Sequence, residues 1–208
     1  MSSMHCMVIE NIGSYLETLG GVIDLYADGD FSFPDAAGEW LSGAEEVMSK
    51  LRLPDGARLA ALRGKILAAG DNTKDPDGYF SRSLSRKARE VAAAESLEIA
   101  EEVMRGSLQS SREQLEHFRS KLAEAITAAA LSNVIPLPET TPRQVWLNQV
   151  WAAFAAFQAT RPSAIYIAAS LTITDRIYLL DQVMNHLLNN QMPTLNPAAL
   201  DSLDTDVV

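Results

Sequence analysis

"SRSLSRKAREVAAAESLEIAEEVMRGSLQSSREQLEHFRSKLAEAITAAA", residues 81–130, contains no proline and a single glycine, Gly106. It is dominated by Ala, Leu, Glu, Arg and Ser, most of which lose little side-chain freedom in a helix. Leu97, Ala100, Met104 and Leu108 form one apolar stripe, and Leu115, Phe118, Leu122, Ala125 and Ala129 form another. Both stripes lie near a seven-residue repeat. Glu101 with Arg105, and Arg112 with Glu116, stand four residues apart. Opposite charges at that spacing support a helix by about 0.2–0.5 kcal/mol a pair. Read as one helix, the stretch reaches about 75 Å at the usual rise of ~1.5 Å per residue. "RGSLQSS", 105–111, is its weak point, so two readings stand: one long helix, or a helical hairpin over 81–133. In either case the expected fold is mostly α, a helical bundle with a long central helix or hairpin.

Outward from this stretch the helical period continues. On the amino-terminal side Ile9, Ile12, Leu16, Leu19 and Ile23 recur at spacings of three and four, the stripe of an amphipathic helix. Gly20-Gly21 weakens that helix and "ADGD", 27–30, stops it. A second helix carries Pro34 in its first turn and Trp40, Val47, Met48 and Leu51 on one face. "PDG", 54–56, turns into a third helix over 57–70, with Gly70 read as its carboxy-terminal cap.

On the other side "VIPLPETTP", 134–142, holds three prolines and is excluded from helix and central strand. It is the strongest boundary in the sequence. Thr141 then reads as the cap of a helix with Pro142 at its first position. In that helix Val145, Trp146, Leu147, Val150, Trp151, Phe154 and Phe157 occupy every face, the mark of an element buried all round. "SAIYIAASLTI", 163–173, is ambiguous between a short helix and a minor β-hairpin. Thr172 and Asp175 make a capping-box-like start for a last helix, with Ile177, Leu180, Met184 and Leu187 or Leu188 inward. The organisation read from these signals is an acidic helical region at 1–80, the long helix or hairpin at 81–133, an apolar helical region at 143–190 and an extended acidic tail at 191–208.

The chain has 208 residues, a hydrophobic fraction of 47% and a net charge of −10, the profile of a folded globular protein. Residues 1–80 carry 13 acidic against 6 basic side chains, 81–130 carry 8 of each, and the remainder has 6 against 3. An acidic balance disfavours non-specific nucleic-acid binding and anionic membrane surfaces. A basic patch at Arg82, Arg86, Lys87 and Arg89 reads as a solvated face. The longest apolar run, "VWAAFAAF" at 150–157, is far short of the roughly 20 residues of a membrane span. The amino terminus lacks a basic region of the signal-peptide kind. A soluble protein is expected, in the cytoplasm or within a virion or secretion assembly.

"GDNTKDPDGYF", 70–80, resembles a calcium loop only in part. Aligned on Gly78, Asp75 and Asp77 fill two ligand positions, but the first falls on Thr73 and the twelfth on Leu84. The missing carboxylates remove much of the charge that calcium needs, so a solvated turn is the reading. Cys6 is the only cysteine, and His5, His117 and His186 lack metal-ligand spacing. His117 beside Glu113 reads as a polar pair four residues apart. No phosphate loop, dinucleotide fingerprint or nucleophile elbow is present. No metal, cofactor or catalytic residue is therefore assigned.

The function expected on these grounds is that of a non-enzymatic structural or assembly protein. A long amphipathic helix with too little partner surface in its own chain finds it in another copy or subunit. The residues expected at such an interface are Val145, Trp146, Val150, Trp151, Phe154, Phe157, Leu115, Phe118 and Leu122. The partners are other proteins, as a homo-oligomer or a larger assembly such as a virion, phage tail or secretion machine. The alternative is a helical adaptor that binds a protein or small effector near Trp146 and Trp151.

Overall fold

The computed structural model describes residues 5–71, 81–132, 134–136 and 141–191. Among them the chain is all-α, with eight helices and no strand. It divides into two compact units, His5–Glu113 and the residues from Gln114 onward. The division falls inside a helix, and the proline-rich stretch at 134–142 lies within the second unit. The possible calcium loop (Thr73, Asp75, Asp77 and Gly78) and the acidic tail at 192–208 lie outside the described residues.

The first unit holds α1 (His5–Glu17), α2 (Leu19–Ala27), α3 (Phe33–Lys50), α4 (Gly56–Asp71) and α5 (Ser81–Leu131) as far as Glu113. Ile12, Leu41, Met48, Leu59, Ile66 and Met104 are its fully buried centre. The first helix breaks at Thr18, ahead of the Gly20-Gly21 pair. There the Thr18 hydroxyl donates to the Tyr15 carbonyl at 2.6 Å and accepts from Trp40 Nε1 at 3.0 Å. Two helix ends share one terminating device. Asp30 N–H bonds back to the Leu25 carbonyl across Gly29, and Leu53 N–H to the Met48 carbonyl across Arg52. Gly29 and Arg52 take the left-handed conformation, at φ 66° and 56°, that this motif requires. The last helix of the set differs from expectation: α4 continues through Gly70 to Asp71.

The long helix is single, 51 residues without a fold-back. One inward stripe runs along it at Ala93, Leu97, Ala100, Met104, Leu108, Ser111, Leu115, Phe118, Leu122, Ile126 and Ala129, with Ala92, Ser96 and Val103 buried beside it. The mean spacing along the stripe is about 3.6 residues, the period of a straight helix rather than of a supercoil. The stripe runs through Ile126 and leaves Ala125 at its edge. Gly106 is exposed and sits between Met104 and Leu108, so the weak point faces solvent while its neighbours are anchored in the core. Arg105 pairs with Glu101 at 2.7 Å. Glu116 pairs with Arg119, three residues on, at 2.7 Å rather than with Arg112, and Glu113 accepts from Gln109 rather than from His117. The basic patch is partly consumed inside the unit: Arg89 meets Asp35 at 2.6 Å and Arg86 meets Glu90 at 2.7 Å.

The second unit packs the end of α5 with α6 (Arg143–Ala156), α7 (Arg161–Ser170) and α8 (Ile173–Gln191). Pro142, not Thr141, is the residue before the helical turn of α6; its carbonyl accepts the first helical bond, from Trp146 N–H. No Thr141 side-chain cap forms. The ambiguous 163–173 segment is helical through Ser170, because Pro162 occupies the first turn, where it needs no donor and from which it would interrupt a strand ladder. Thr172 caps α8 as its sequence suggests, accepting from the Asp175 N–H at 3.2 Å.

Candidate interaction surface

The residues that sequence reasoning assigns to an interface are largely drawn into the second unit's own core. Trp146, Val150, Phe154, Leu115, Phe118 and Leu122 are all buried within one chain. Trp151 and Phe157 are half-buried, and only Val145, at 46%, keeps a mainly open side chain. The helix is thus one-sided. Trp146, Leu147, Val150 and Phe154 point inward, while Gln144, Asn148, Gln149 and Ala152 face water. Apolar residues on its outer face are few and small, so burial on all sides is unnecessary.

Trp146 and Trp151 are each engaged by side chains of their own unit. Trp146 donates its indole N–H to the Pro136 carbonyl at 2.9 Å, and the Arg143 guanidinium covers its ring at 4.6 Å. Arg143 also reaches Asp181 on α8 at 2.6 Å, which ties the two helices together. Trp151 is held between the Phe154 ring at 5.4 Å and the Arg176 guanidinium at 5.0 Å. The same covering applies to α5: the amino-terminal stripe packs on α1–α4, and the other lies beside α7 and α8.

Unsatisfied apolar surface lies elsewhere. A groove of about 170 Å³ runs beside α2 and α5 in the first unit, lined by Leu19, Ile23, Tyr26, Phe33, Leu97 and Glu98. Leu19, Phe33 and Leu97 are its buried floor. Ile23 and Tyr26 are 49% and 57% exposed. The Tyr26 ring leans on Phe33 at 4.9 Å, which holds the wall upright. Phe31, in the turn after α2, is 77% exposed. Glu98 stands at the rim, exposed and without a basic partner among the described residues. Glu101, one turn on, is already neutralised by Arg105.

Sequence reasoning placed Ile23 on the inward stripe. The break at Thr18 rephases the helix, so the continuation of that stripe rotates outward. The visible signal was the Gly20-Gly21 weakness, which marks a helix unable to keep one phase throughout.

Among the described residues no group of three or more His, Cys, Asp and Glu side chains is placed to hold a metal ion. No helix there is long and apolar enough to cross a membrane. Comparison with protein-family models, with curated proteins and with solved structures finds no match to this chain.

Proposed function

We propose that this chain is a non-enzymatic structural or assembly protein that works through helix-mediated contacts with other protein subunits, as a homo-oligomer or within a larger assembly. The observation that supports this reading is the groove between α2 and α5, where Ile23 and Tyr26 hold large apolar surface in water. Singly exposed apolar residues are ordinary on a protein surface, but grouped ones beside an apolar floor are the usual form of a protein contact. The contact surface is therefore moved from α6 to the first unit, since the α6 side chains are occupied at home. The adaptor reading near Trp146 and Trp151 loses its support for the same reason.

Light scattering on the full chain across concentration tests the proposal. A mass above the 22.6 kDa of one chain, for the chain alone or once a protein partner is added, is the expected result. A chain that stays monomeric at every accessible concentration and assembles with no partner overturns it.

A further inference from the structure

We infer that the α2–α5 groove is the seat of an amphipathic helix from a partner protein, with a basic flank beside its apolar anchors. The inference rests on the protein-contact reading above and names the chemistry of the partner.

The shape argument starts from the floor. Leu19, Phe33 and Leu97 are buried, so the groove is apolar to its base. Its walls, Ile23 and Tyr26, come from successive turns of one helix, and the opposite wall is α5. A trough between two helices receives a third helix through side chains at i, i+3 and i+4. The volume suits an apolar anchor side chain rather than a large cofactor.

The charge argument selects the partner. The first unit, residues 5–113, carries 19 Asp and Glu against 12 Lys and Arg, a net of −7. At the rim the unpaired charge is Glu98, whereas Glu101 is engaged by Arg105. Neutralising a free carboxylate beside an apolar contact favours Lys or Arg on the incoming helix, which also gains on-rate from the acidic field. A second copy is a poor occupant, because each chain brings a net charge of −10.

The test uses the full chain and three labelled peptides of about 15 residues, long enough to form a helix. The first has leucines at i, i+3, i+4 and i+7 flanked by lysines; the second exchanges the lysines for glutamates; the third exchanges the leucines for serines. In fluorescence anisotropy the first should bind at least ~10-fold more tightly than either relative. Ile23→Glu should weaken it by ~10-fold or more. This variant is informative because it adds negative charge: a diffuse attraction for a basic peptide would rise while groove binding falls. Glu98→Lys, at an exposed site, should erase the preference for the lysine flank.

Binding of the first peptide that is unchanged or strengthened in Ile23→Glu overturns the inference. So does equal binding of the lysine- and glutamate-flanked peptides. An oligomer of the chain alone that dissolves in Ile23→Glu overturns it in favour of a second copy in the groove. If no peptide binds but the chain assembles, this inference fails and the proposed function stands. If no peptide binds and the chain is monomeric in every setting, both fail.

Discussion

Tyr15, Thr18, Trp40 and Gly43 pack as one constellation in the first unit. Tyr15 Oη donates to the Trp40 carbonyl at 2.7 Å, Trp40 Nε1 donates to Thr18, and the two rings lie 5.3 Å apart. Gly43 makes room for this arrangement, since a Cβ added there would stand 2.1 Å from Tyr15 Oη. Tyr15 is hydrogen-bonded and cannot swing away freely. Gly43→Ala should therefore destabilise by about 1–3 kcal/mol, and Tyr15→Phe in the same chain should recover part of the loss. A double-mutant cycle by urea denaturation checks this, and simple additivity would contradict it. Tyr15 also makes a pH prediction. Desolvation by burial raises its pKa, and the nearby Glu46 charge adds to the rise against a backbone hydrogen bond from Ala44. The folded chain thus holds the phenol proton longer than the unfolded chain. That contribution is complete below the unfolded value of about 10 and is lost as pH climbs through the folded value. Unfolding free energy should therefore fall from about pH 10 upward in the wild type more steeply than in Tyr15→Phe.

At the scale of the element, helix ends and the middle of α5 are the points where sequence and structure can be separated. The turns after α2 and α3 use the same reverse hydrogen bond, but one places Gly29 and the other Arg52 at the left-handed position. A side chain there costs about 1–2 kcal/mol in backbone strain, so Arg52→Gly should raise the melting temperature modestly, even after the entropy lost by a freer unfolded chain. Gly29→Ala should lower it. In α5, Gly106 is exposed, with open space where a Cβ would be. Gly106→Ala should stabilise by about 0.5–1 kcal/mol through helix propensity alone; a loss of stability would mean that the helix needs freedom there. The choice between one helix and a hairpin was open in the sequence because "RGSLQSS" is weak in propensity. The continuous inward series from Ala93 to Ala129 resolves it, since folding back would take those side chains out of phase with their cores.

For the whole molecule, net charge opposes the approach of a second copy. Two chains of net charge −10 repel over a Debye length of about 30 Å at 0.01 M salt and about 8 Å at 0.15 M. Self-association should strengthen as salt rises through that range, while a basic partner should bind more weakly. Sedimentation velocity at the two ionic strengths reads the first effect, and the reverse trend would mean that opposite charges draw the copies together. Fold class and most helix spans were legible without coordinates, as were the Thr172 cap, the stop after Ala27 and the paired Glu101 and Arg105. Each is written in residues within about one or two turns of one another, where backbone geometry alone dictates the spacing. Which apolar faces the chain covers by itself was not legible. Trp146, Val150 and Phe154 look like surplus apolar surface until α7 and α8 pack against their helix, and Ile23 looks inward until Thr18, engaged by Trp40 from another helix, breaks the phase. Apolar periodicity states which face of a helix avoids water; only the non-local packing of other helices determines whether that face is already covered.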